Sequence, residues 1–292
     1  MTVPVTVASA TSMLLPSVQP LVMGILNVTP DSFSDGGRFF DHDAAVAHGL
    51  EMFADGAAVV DVGGESSRPG ADPVAEAEEL ARVLPVIEAL VAAGKGRVSI
   101  DTVKPAVAEA AISAGVTLVN DISATLLDVV ASCGRSDVGW VAMHMRGVPA
   151  TMQVAPSYDE VVGEVADFLA AKATAAMEAG IHEVWVDPGI GFGKSEAHNL
   201  LLLRHLGRLT GLGFPVLVGT SRKRFVGALL ARSDNSAESV VAVDDRGAGT
   251  IGTEVWAMAL GARMIRTHDV PAAVQSGRLV WADPRAVIPP SP

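Results

Sequence analysis

The chain has 292 residues, of which 49% are hydrophobic and 4% are aromatic, so it can bury a large, mainly aliphatic core. Its formal net charge of −12 argues against general binding to nucleic acid or to an anionic membrane surface. No apolar run reaches the ~18 residues of a membrane span, and no basic residue precedes Arg38 as in a secretory signal. Because the single cysteine, Cys133, cannot form an intrachain disulfide, we expect a reducing, cytoplasmic environment.

Short apolar runs alternate along the chain with segments of helical periodicity. The eight runs are rich in Val, Ile and Leu, which is typical of strands buried on both faces. They cover residues 21–27, 57–66, 97–102, 116–122, 139–145, 183–189, 214–222 and 262–269. The predicted helices include residues 44–56, 75–94, 104–115, 158–180 and 197–213. Residues 231–249 form a polar connection whose structure the pattern does not predict.

Strict alternation of strands and helices indicates a parallel sheet. Eight such units in about 250 residues match the closed (β/α)8 barrel in number and size. We therefore predict an α/β TIM barrel as a single domain over residues 21–280, with an open doubly wound sheet as the alternative. Residues 1–20 are expected to form a flexible N-terminal tail, and residues 281–292 a Pro-rich C-terminal tail.

A polar or charged residue follows each predicted strand. In a barrel the C-terminal strand ends meet at one mouth, where active sites are built. A single Asp at such a place is usually a helix N-cap, but caps do not explain eight polar strand ends. These residues are Asn27, Glu65, Asp101, Asn120 with Asp121, His144, Asp187, Ser221 with Lys223, and Arg266 with His268.

The segment VDPGIGFGK, residues 186–194, looks like a phosphate-binding loop but is not one. Pro188 stands where that loop requires a glycine, and proline has no N–H to offer a phosphate. The glycine spacing also fails to match the dinucleotide-binding pattern. What remains is Asp187 at a strand end, followed by a loop with little side-chain bulk. Lys194 is expected to cap or cover the next helix.

The charges of the predicted mouth suit a ligand with two different ends. Asp101, Asn120 and Asp187 offer acceptors to an edge rich in N–H donors, such as a guanidine-like heterocycle. A basic group, suited to phosphate or diphosphate, comprises Arg68, Lys223, Arg266 and His268. Asn27 offers an amide oxygen to a hard cation such as Mg²⁺. The polar loops at residues 27–37 and 63–71 are suited to gating and to excluding water.

Eight segments between about residues 21 and 271 resemble, in this order, the signatures of the dihydropteroate synthase family. They are MGILNVTPDSFSDGG, VVDVGGESSRPGA, SIDT, VNDIS, MHMRGVPATMQ, VDPGIGFGK, VGTSRKRFVG and RTHDV. The resemblance implies the condensation of (7,8-dihydropterin-6-yl)methyl diphosphate with p-aminobenzoate to 7,8-dihydropteroate and diphosphate, in folate synthesis. It also implies Mg²⁺ as cofactor, a homodimer, and a site that competitors of p-aminobenzoate such as sulfonamides would enter.

The resemblance also implies a role for individual residues. The pterin would contact Asp101, Asn120, Met143, Asp187, Phe192 and Lys223. The diphosphate would contact Asn27, Arg68, Arg266 and His268, with Asn27 also touching Mg²⁺. The p-aminobenzoate would contact Phe33, Ser67, Arg68, Pro69 and Ser221. The catalytic residues would be Asp101, Asp187, Lys223, Arg266 and His268.

The chain departs from the family pattern in small ways that remove no charged site residue. Ser67 stands where Thr is also common, and Ala124-Thr125-Leu126 stands where glycines are frequent. Two other functions stay open at this point. A methyltetrahydrofolate:corrinoid methyltransferase would share the acidic pocket but would need no Arg-His diphosphate site. A non-catalytic paralogue would bind pterin without turning it over.

Overall fold

The structure is a computed structural model that describes residues 19–29, 42–68, 70–149, 151–236 and 238–282. Most of the two predicted tails therefore lies outside the described residues. Eight strands appear where the apolar runs predict them. They are β1 (Leu21–Asn27), β2 (Val59–Gly63), β3 (Arg97–Asp101), β4 (Leu118–Asp121), β5 (Gly139–Met143), β6 (Val184–Asp187), β7 (Leu217–Val218) and β8 (Met264–Thr267).

Helices follow the strands. They are α1 (His42–Ala54), α2 (Glu76–Ala93), α3 (Pro105–Ser113), α4 (Leu127–Ser132), α5 (Val161–Glu178), α6 (Glu196–Arg204), α7 (Leu206–Thr210), α8 (Arg224–Ser233), α9 (Gly247–Ala259) and α10 (Val270–Val280). The single helix predicted over residues 197–213 is interrupted at His205, whose backbone leaves the helical region at φ −106°, ψ 24°. The connection 231–249 contains the end of α8, a 3₁₀ turn at Asp244–Arg246 and the start of α9.

The sheet closes into a barrel. All of its pairings are parallel, in the order β6-β5-β4-β3-β2-β1-β8-β7. A bridge between Val186 and Val216, with a 3.0 Å hydrogen bond from Val186 N to Pro215 O, joins β6 to β7. The TIM barrel prediction is confirmed, and the open doubly wound alternative is wrong because β1 lies between β2 and β8 in a closed ring.

The barrel interior is apolar at one level and polar at the next. An inner cluster consists of Met23, Val59, Leu118, Val141, Trp185, Leu217 and Met264. Strand side chains alternate with period two, so the residue two positions further along faces the same side. On four of these strands that residue is Asp61, Asn120, Asp187 or Arg266. The apolar layer therefore closes the barrel beneath a layer of polar side chains.

The remaining core lies between the strands and the helices, where outward strand residues pack against the buried faces of the surrounding helices. In the part of the chain that the structure describes, no helix is both long and apolar enough to cross a membrane.

Candidate active site

Arg266 joins three polar residues at the mouth of the barrel. Its Nε donates to Asp61 Oδ2 and its Nη2 donates to Asp101 Oδ2, each at 2.7 Å. Asn120 Nδ2 donates to the same Asp61 oxygen at 2.8 Å. The separation into acidic and basic parts predicted from the sequence is therefore incomplete, because the guanidinium of Arg266 lies among the carboxylates.

Asp61 is a site residue that the sequence analysis missed. Its side chain is fully buried, and it stands in the middle of β2 rather than at the strand end. The available signal was a lone carboxylate inside an otherwise apolar run, AAVVDVGGES. Because a buried carboxylate needs a partner, that signal predicts a cation nearby but does not say which one.

Two buried acceptors in this cluster have no partner within the described ranges. They are Asp61 Oδ1 and Asn120 Oδ1. Leaving a buried acceptor unsatisfied costs about 1–3 kcal/mol, so such atoms usually mark a place where a ligand or water donates. Their position suits the N–H edge of a heterocycle.

Asp101 changes its protonation near neutral pH. Burial raises its pKa to about 7, against the opposing effect of Arg266. The neighbouring carboxylates of Asp61, Glu79 and Asp121 raise the pKa further. The ligand-free site therefore tolerates both the neutral and the ionised form of Asp101.

Asp187 lies at the end of β6, and its side chain bonds to the backbone of the loop that follows this strand. Its Oδ1 accepts from Gly189 N at 2.6 Å. Burial raises its pKa, while Lys223, the Gly189 N–H and Arg266 oppose that rise. Asp187 and Arg266 each stand two positions after a residue of the inner apolar cluster, so both face the barrel interior at the same level.

Lys223 reaches across to the loop after β6. Its Nζ donates to Ile190 O and lies 4.7 Å from the centroid of the Phe192 ring. Burial lowers its pKa to about 8, although Asp187 opposes this effect. The lysine and the aromatic ring therefore lie together beside the loop after β6. Met143 is buried at the end of the neighbouring strand, where it pairs with Asp187.

The glycines after β6 allow close backbone contact with the loop after β5. Gly189 has φ 62°, and a Cβ there would lie 1.9 Å from His144 O. Gly193 has φ 61°, and its Cβ would lie 2.3 Å from Arg146 O. Any side chain at these positions would push the two loops apart, which explains the low side-chain bulk of this segment.

Lys194 does not cap the next helix, so that prediction is wrong. Ser195 caps α6, since its Oγ accepts from His198 N at 3.2 Å. Lys194 is 2% exposed, and its Nζ bonds His144 Nδ1 (3.0 Å), His144 O (3.1 Å) and Phe192 O (3.0 Å). Burial lowers the pKa of Lys194 to about 7. Lys194 therefore fastens the loops after β5 and β6 together.

His144 is a neutral partner of this lysine. Burial, followed by the charge of Lys194, lowers its pKa to about 3. Its ring packs edge-on against Phe168 with centroids 5.0 Å apart.

Two other polar strand ends stabilise the loops around them. Asp121 closes the turn after β4 by accepting from Leu126 N at 2.6 Å, and Glu65 pairs with Lys104.

Ser221 and His268 connect the ends of β7 and β8. Ser221 Oγ lies 2.9 Å from His268 Nδ1 and accepts from His268 N at 3.2 Å. Burial lowers the pKa of His268 to about 3, so its imidazole is neutral and offers one N–H. The cations that lower the pKa further are Arg266, Arg222, Arg68 and Lys223.

The remaining predicted residues belong to the end of β1 and to the segments that follow β1 and β2 in the sequence. Asn27 is half-buried at the end of β1, Ser67 is half-buried and Arg68 is exposed. The positive charge of Arg68 contributes to the lowered pKa of His268. Phe33 and Pro69 lie outside the described residues, so their roles stay predictions.

A separate, open concavity of about 390 Å³ lies in the long loop between β5 and α5. Its walls include Arg146, which stacks 4.4 Å from the centroid of the Tyr158 ring. None of the predicted site residues lines it. The concavity is therefore distinct from the predicted site at the barrel mouth.

Comparison with known proteins identifies the family of the chain. The family model described as "Pterin binding enzyme" matches residues 23–268. The chain is 45% identical over 269 residues to the dihydropteroate synthase of Mycobacterium leprae (strain TN), covering 89% of this chain and 92% of that protein. The chain belongs to the dihydropteroate synthase family.

Solved structures of the family have the same architecture. The dihydropteroate synthase of Xanthomonas albilineans with 4-aminobenzoic acid has a TM-score of 0.81 and 46% identity, covering 93% of this chain and 94% of that one. The same enzyme in complex with 7,8-dihydropteroate has a TM-score of 0.78 and 43% identity, covering 93% of this chain and 95% of that one.

The activity follows from the family. The chain is a transferase of folate synthesis, with dihydropteroate synthase activity. This result favours the synthase over the methyltransferase and the silent paralogue considered from the sequence.

Proposed function

We propose that this chain condenses (7,8-dihydropterin-6-yl)methyl diphosphate with p-aminobenzoate at the barrel mouth, releasing diphosphate. The observation that carries the assignment is the Arg266, Asp61 and Asp101 cluster, with unsatisfied acceptors beside it and cations around it. The Xanthomonas albilineans complexes with 4-aminobenzoic acid and 7,8-dihydropteroate support these two molecules as substrate and product.

The pterin ring would occupy the acidic side of the mouth. Asp101, Asn120 and Asp187 supply acceptors to its N–H edge, and a carboxylate can take two parallel bonds from such an edge. Lys223 supplies a donor, and Met143 with Phe192 supplies apolar surface against the ring. The free Asn120 Oδ1 supports this orientation, because a ring N–H would satisfy it.

The diphosphate would lie on the side where β1, β2 and β8 end. Arg266 and Arg68 bring positive charge, and neutral His268 brings an N–H donor. Donors fixed before the reaction stabilise the developing charge of the leaving group without reorganising. Asn27 is close to this side at the end of β1.

Asn27 is suited to be the single protein ligand of an Mg²⁺ ion. Within the described ranges no group of three or more His, Cys, Asp and Glu side chains could hold a metal. One amide oxygen suits Mg²⁺, which keeps several waters and usually binds substrate phosphates rather than an all-protein cage. When bound, the ion would neutralise charge on the diphosphate oxygens.

The protein's main task in this reaction is charge stabilisation. When the C–O bond to diphosphate breaks, positive charge spreads over the methylene group and the pterin ring. The carboxylates of Asp101 and Asp187 stabilise that charge, and the neutral aryl amine then attacks the methylene carbon. An aryl amine is unprotonated at neutral pH, so no base is required before it attacks. The anilinium that forms is a strong acid and loses one N–H proton to the departing diphosphate or to water. Ser221, Ser67, Arg68, Phe33 and Pro69 would shape the place where p-aminobenzoate enters.

The deciding experiment mixes the purified protein with the dihydropterin methyl diphosphate, p-aminobenzoate and Mg²⁺, and measures diphosphate release. Release that requires the amine supports the proposal, whereas binding without amine-dependent release contradicts it.

Arg266→Ala should weaken binding of the diphosphate substrate, because it removes the central cation. Lys95→Ala, at an exposed position, is the matched control.

We further propose that the protein is a cytoplasmic homodimer formed through the last helices. The exposed Leu279 on α10 supports an apolar contact there, since 78% of its surface is accessible. Light scattering of the wild type and of Leu279→Glu tests the proposal. A monomer in both would contradict it.

A further inference from the structure

The segment that joins β2 to α2 comprises residues 64–75, and we call it the β2–α2 loop. Its first residue packs directly onto α2. Gly64 O accepts from Arg82 Nη1 at 2.8 Å, and a Cβ at Gly64 would lie 2.8 Å from Val83 Cγ1. The backbone that leaves β2 is therefore already fixed by α2 where the loop begins.

Glu65 joins the two ends of this loop. Its Oε1 accepts from Val74 N at 3.3 Å, although the two residues are nine positions apart. One residue stands near the beginning of the loop and the other near its end, so a single side chain closes the loop across its base. Ser67 and Arg68, which are proposed to meet p-aminobenzoate, lie between the two ends.

Lys104 anchors the other oxygen of Glu65. Its Nζ donates to Glu65 Oε2 and to Glu79 Oε2. Glu79 is fully buried, and its Oε1 accepts from Thr102 Oγ1 at 2.7 Å. Because a buried carboxylate needs a cation and further hydrogen bonds, Glu79 fixes the position of the Lys104 ammonium. The lysine in turn fixes the carboxylate of Glu65.

The same network is connected to the barrel mouth. Thr102 directly follows Asp101, the last residue of β3, and Thr102 Oγ1 also accepts from Lys104 N at 3.2 Å. Glu65 therefore ties the β2–α2 loop to the segment after β3, and not only to its own helix. Two parts of the mouth that are separate in sequence are held at one distance.

We propose that Glu65 is a positioning residue for p-aminobenzoate, which it does not touch itself. Its carboxylate holds Ser67 and Arg68 in a fixed place relative to Asp101. A loop that is ordered before the ligand arrives loses less conformational freedom on binding, which increases affinity. The inference rests on the proposed function, which assigns p-aminobenzoate to Ser67 and Arg68.

The test compares steady-state kinetics of the wild type, Glu65→Ala and Glu65→Gln, with diphosphate release as the assay. Glu65→Ala removes both bonds of the carboxylate but leaves Lys104 paired with the buried Glu79. We expect KM for p-aminobenzoate to rise at least fivefold. The kcat at saturating amine should change less than twofold, because the loop orders again when it is occupied. Glu65→Gln should raise KM less, since its amide oxygen still accepts from Val74 N.

Glu183→Ala is the matched control. Glu183 precedes β6 at the opposite end of the barrel, where it accepts two hydrogen bonds from Arg97, at 2.7 and 2.8 Å. Its removal should lower the melting temperature without raising KM for p-aminobenzoate. Glu79 is unsuitable as a test position, because its charge also raises the pKa of Asp101.

Hydrogen exchange at the Val74 amide gives a readout that does not depend on turnover. It should be faster in Glu65→Ala than in the wild type and unchanged in Glu183→Ala. Calorimetry with 6-hydroxymethyl-7,8-dihydropterin, which lacks the diphosphate, should show an affinity within twofold of the wild type in both variants.

An unchanged KM in Glu65→Ala, or an equal rise in Glu183→Ala, would overturn the inference. An equal loss of affinity for the hydroxymethyl pterin would also overturn it, because the whole mouth would then be disturbed. Thermal melting verifies folding, and if the Ala variant does not fold, the KM of the Gln variant decides. If the wild type releases no diphosphate with the amine, the proposed function fails instead, while Val74 exchange still shows whether Glu65 closes the loop.

Discussion

At the scale of single residues, Arg266 organises the acidic side of the mouth. Its guanidinium donates one hydrogen bond to Asp61 and one to Asp101. A guanidinium carries five N–H donors, so others remain for a ligand after these two bonds. One arginine can therefore serve the pterin side and the diphosphate side together.

Replacing Asp61 by Ala should strongly lower both stability and turnover, although Asp61 lies in the middle of β2 rather than at its end. The change leaves Arg266 and Asn120 without their shared partner, and breaking a buried pair costs about 3–5 kcal/mol. We expect a loss of that order in the free energy of unfolding, measured with urea, and a large drop in turnover. Asp55→Ala, at an exposed position, should change neither quantity.

Asp101 predicts a specific pH dependence. Its pKa of about 7 means that the ligand-free enzyme loses the carboxylate as the pH falls below 7. In the proposed reaction only the ionised form of Asp101 stabilises the cationic ring, so kcat/KM should fall on the acid side with that pKa. In Asp101→Asn, kcat/KM should be low and this limb should be absent. A limb that persists unchanged in the variant would assign it to another group.

At the scale of elements, the loops after β5 and β6 work as one unit. Backbone contacts at Gly189 and Gly193, and the three hydrogen bonds of Lys194, hold them together. The unit carries Met143, on one side, and Asp187 with Phe192, on the other. The relative position of these residues therefore depends on the junction between the two loops.

Gly189→Ala should separate the two loops. The new Cβ would lie 1.9 Å from His144 O, whereas at Gly134 a Cβ meets nothing within 4 Å at a similar φ of 71°. Gly134→Ala thus measures the cost of the left-handed backbone alone, roughly 1–2 kcal/mol. Urea unfolding should show a clearly larger loss for Gly189→Ala. Equal losses would mean that the loops are not in close contact.

Lys194 predicts how stability changes with pH. The unfolded lysine holds its proton up to about pH 10.5, whereas burial lowers the folded pKa to about 7. Between these values the unfolded state binds more protons, so the free energy of unfolding rises with pH. Lys194→Met should flatten this slope in urea titrations from pH 7 to 10. The exposed Lys95→Met should retain it.

At the scale of the whole molecule, the number of paired positions between neighbouring strands differs around the barrel, and it is smallest at the seam between β6 and β7. β1 and β2 pair over five positions, whereas β7 has two residues and meets β6 through a single bridge. A region that is held by few hydrogen bonds opens at a low free energy. The ring is therefore weakest between β6 and β7.

Hydrogen exchange should detect this seam. Amides of residues 216–218 and of Val186 should exchange faster than those of Val60 and Val62 in native conditions, measured by NMR or mass spectrometry. A ligand that bridges Asp187 and Lys223, on either side of the seam, should slow the exchange. Uniform protection around the ring would contradict the prediction.

The sequence by itself determined the number and order of strands and helices, and the barrel that contains them. It also predicted most of the mouth, because Asp101, Asn120, Asp187 and Arg266 follow apolar runs whose C-terminal ends must converge. These signals are local: side-chain periodicity and strand polarity can be read within ten residues.

Only the tertiary structure decided which of these groups are charged and what holds them. Asp61 pairs with a residue 205 positions away, and Lys194 with one 50 positions away. Burial makes His268 neutral and leaves Glu254 protonated at neutral pH. Desolvation and pairing depend on distances between distant segments, which a local pattern does not contain.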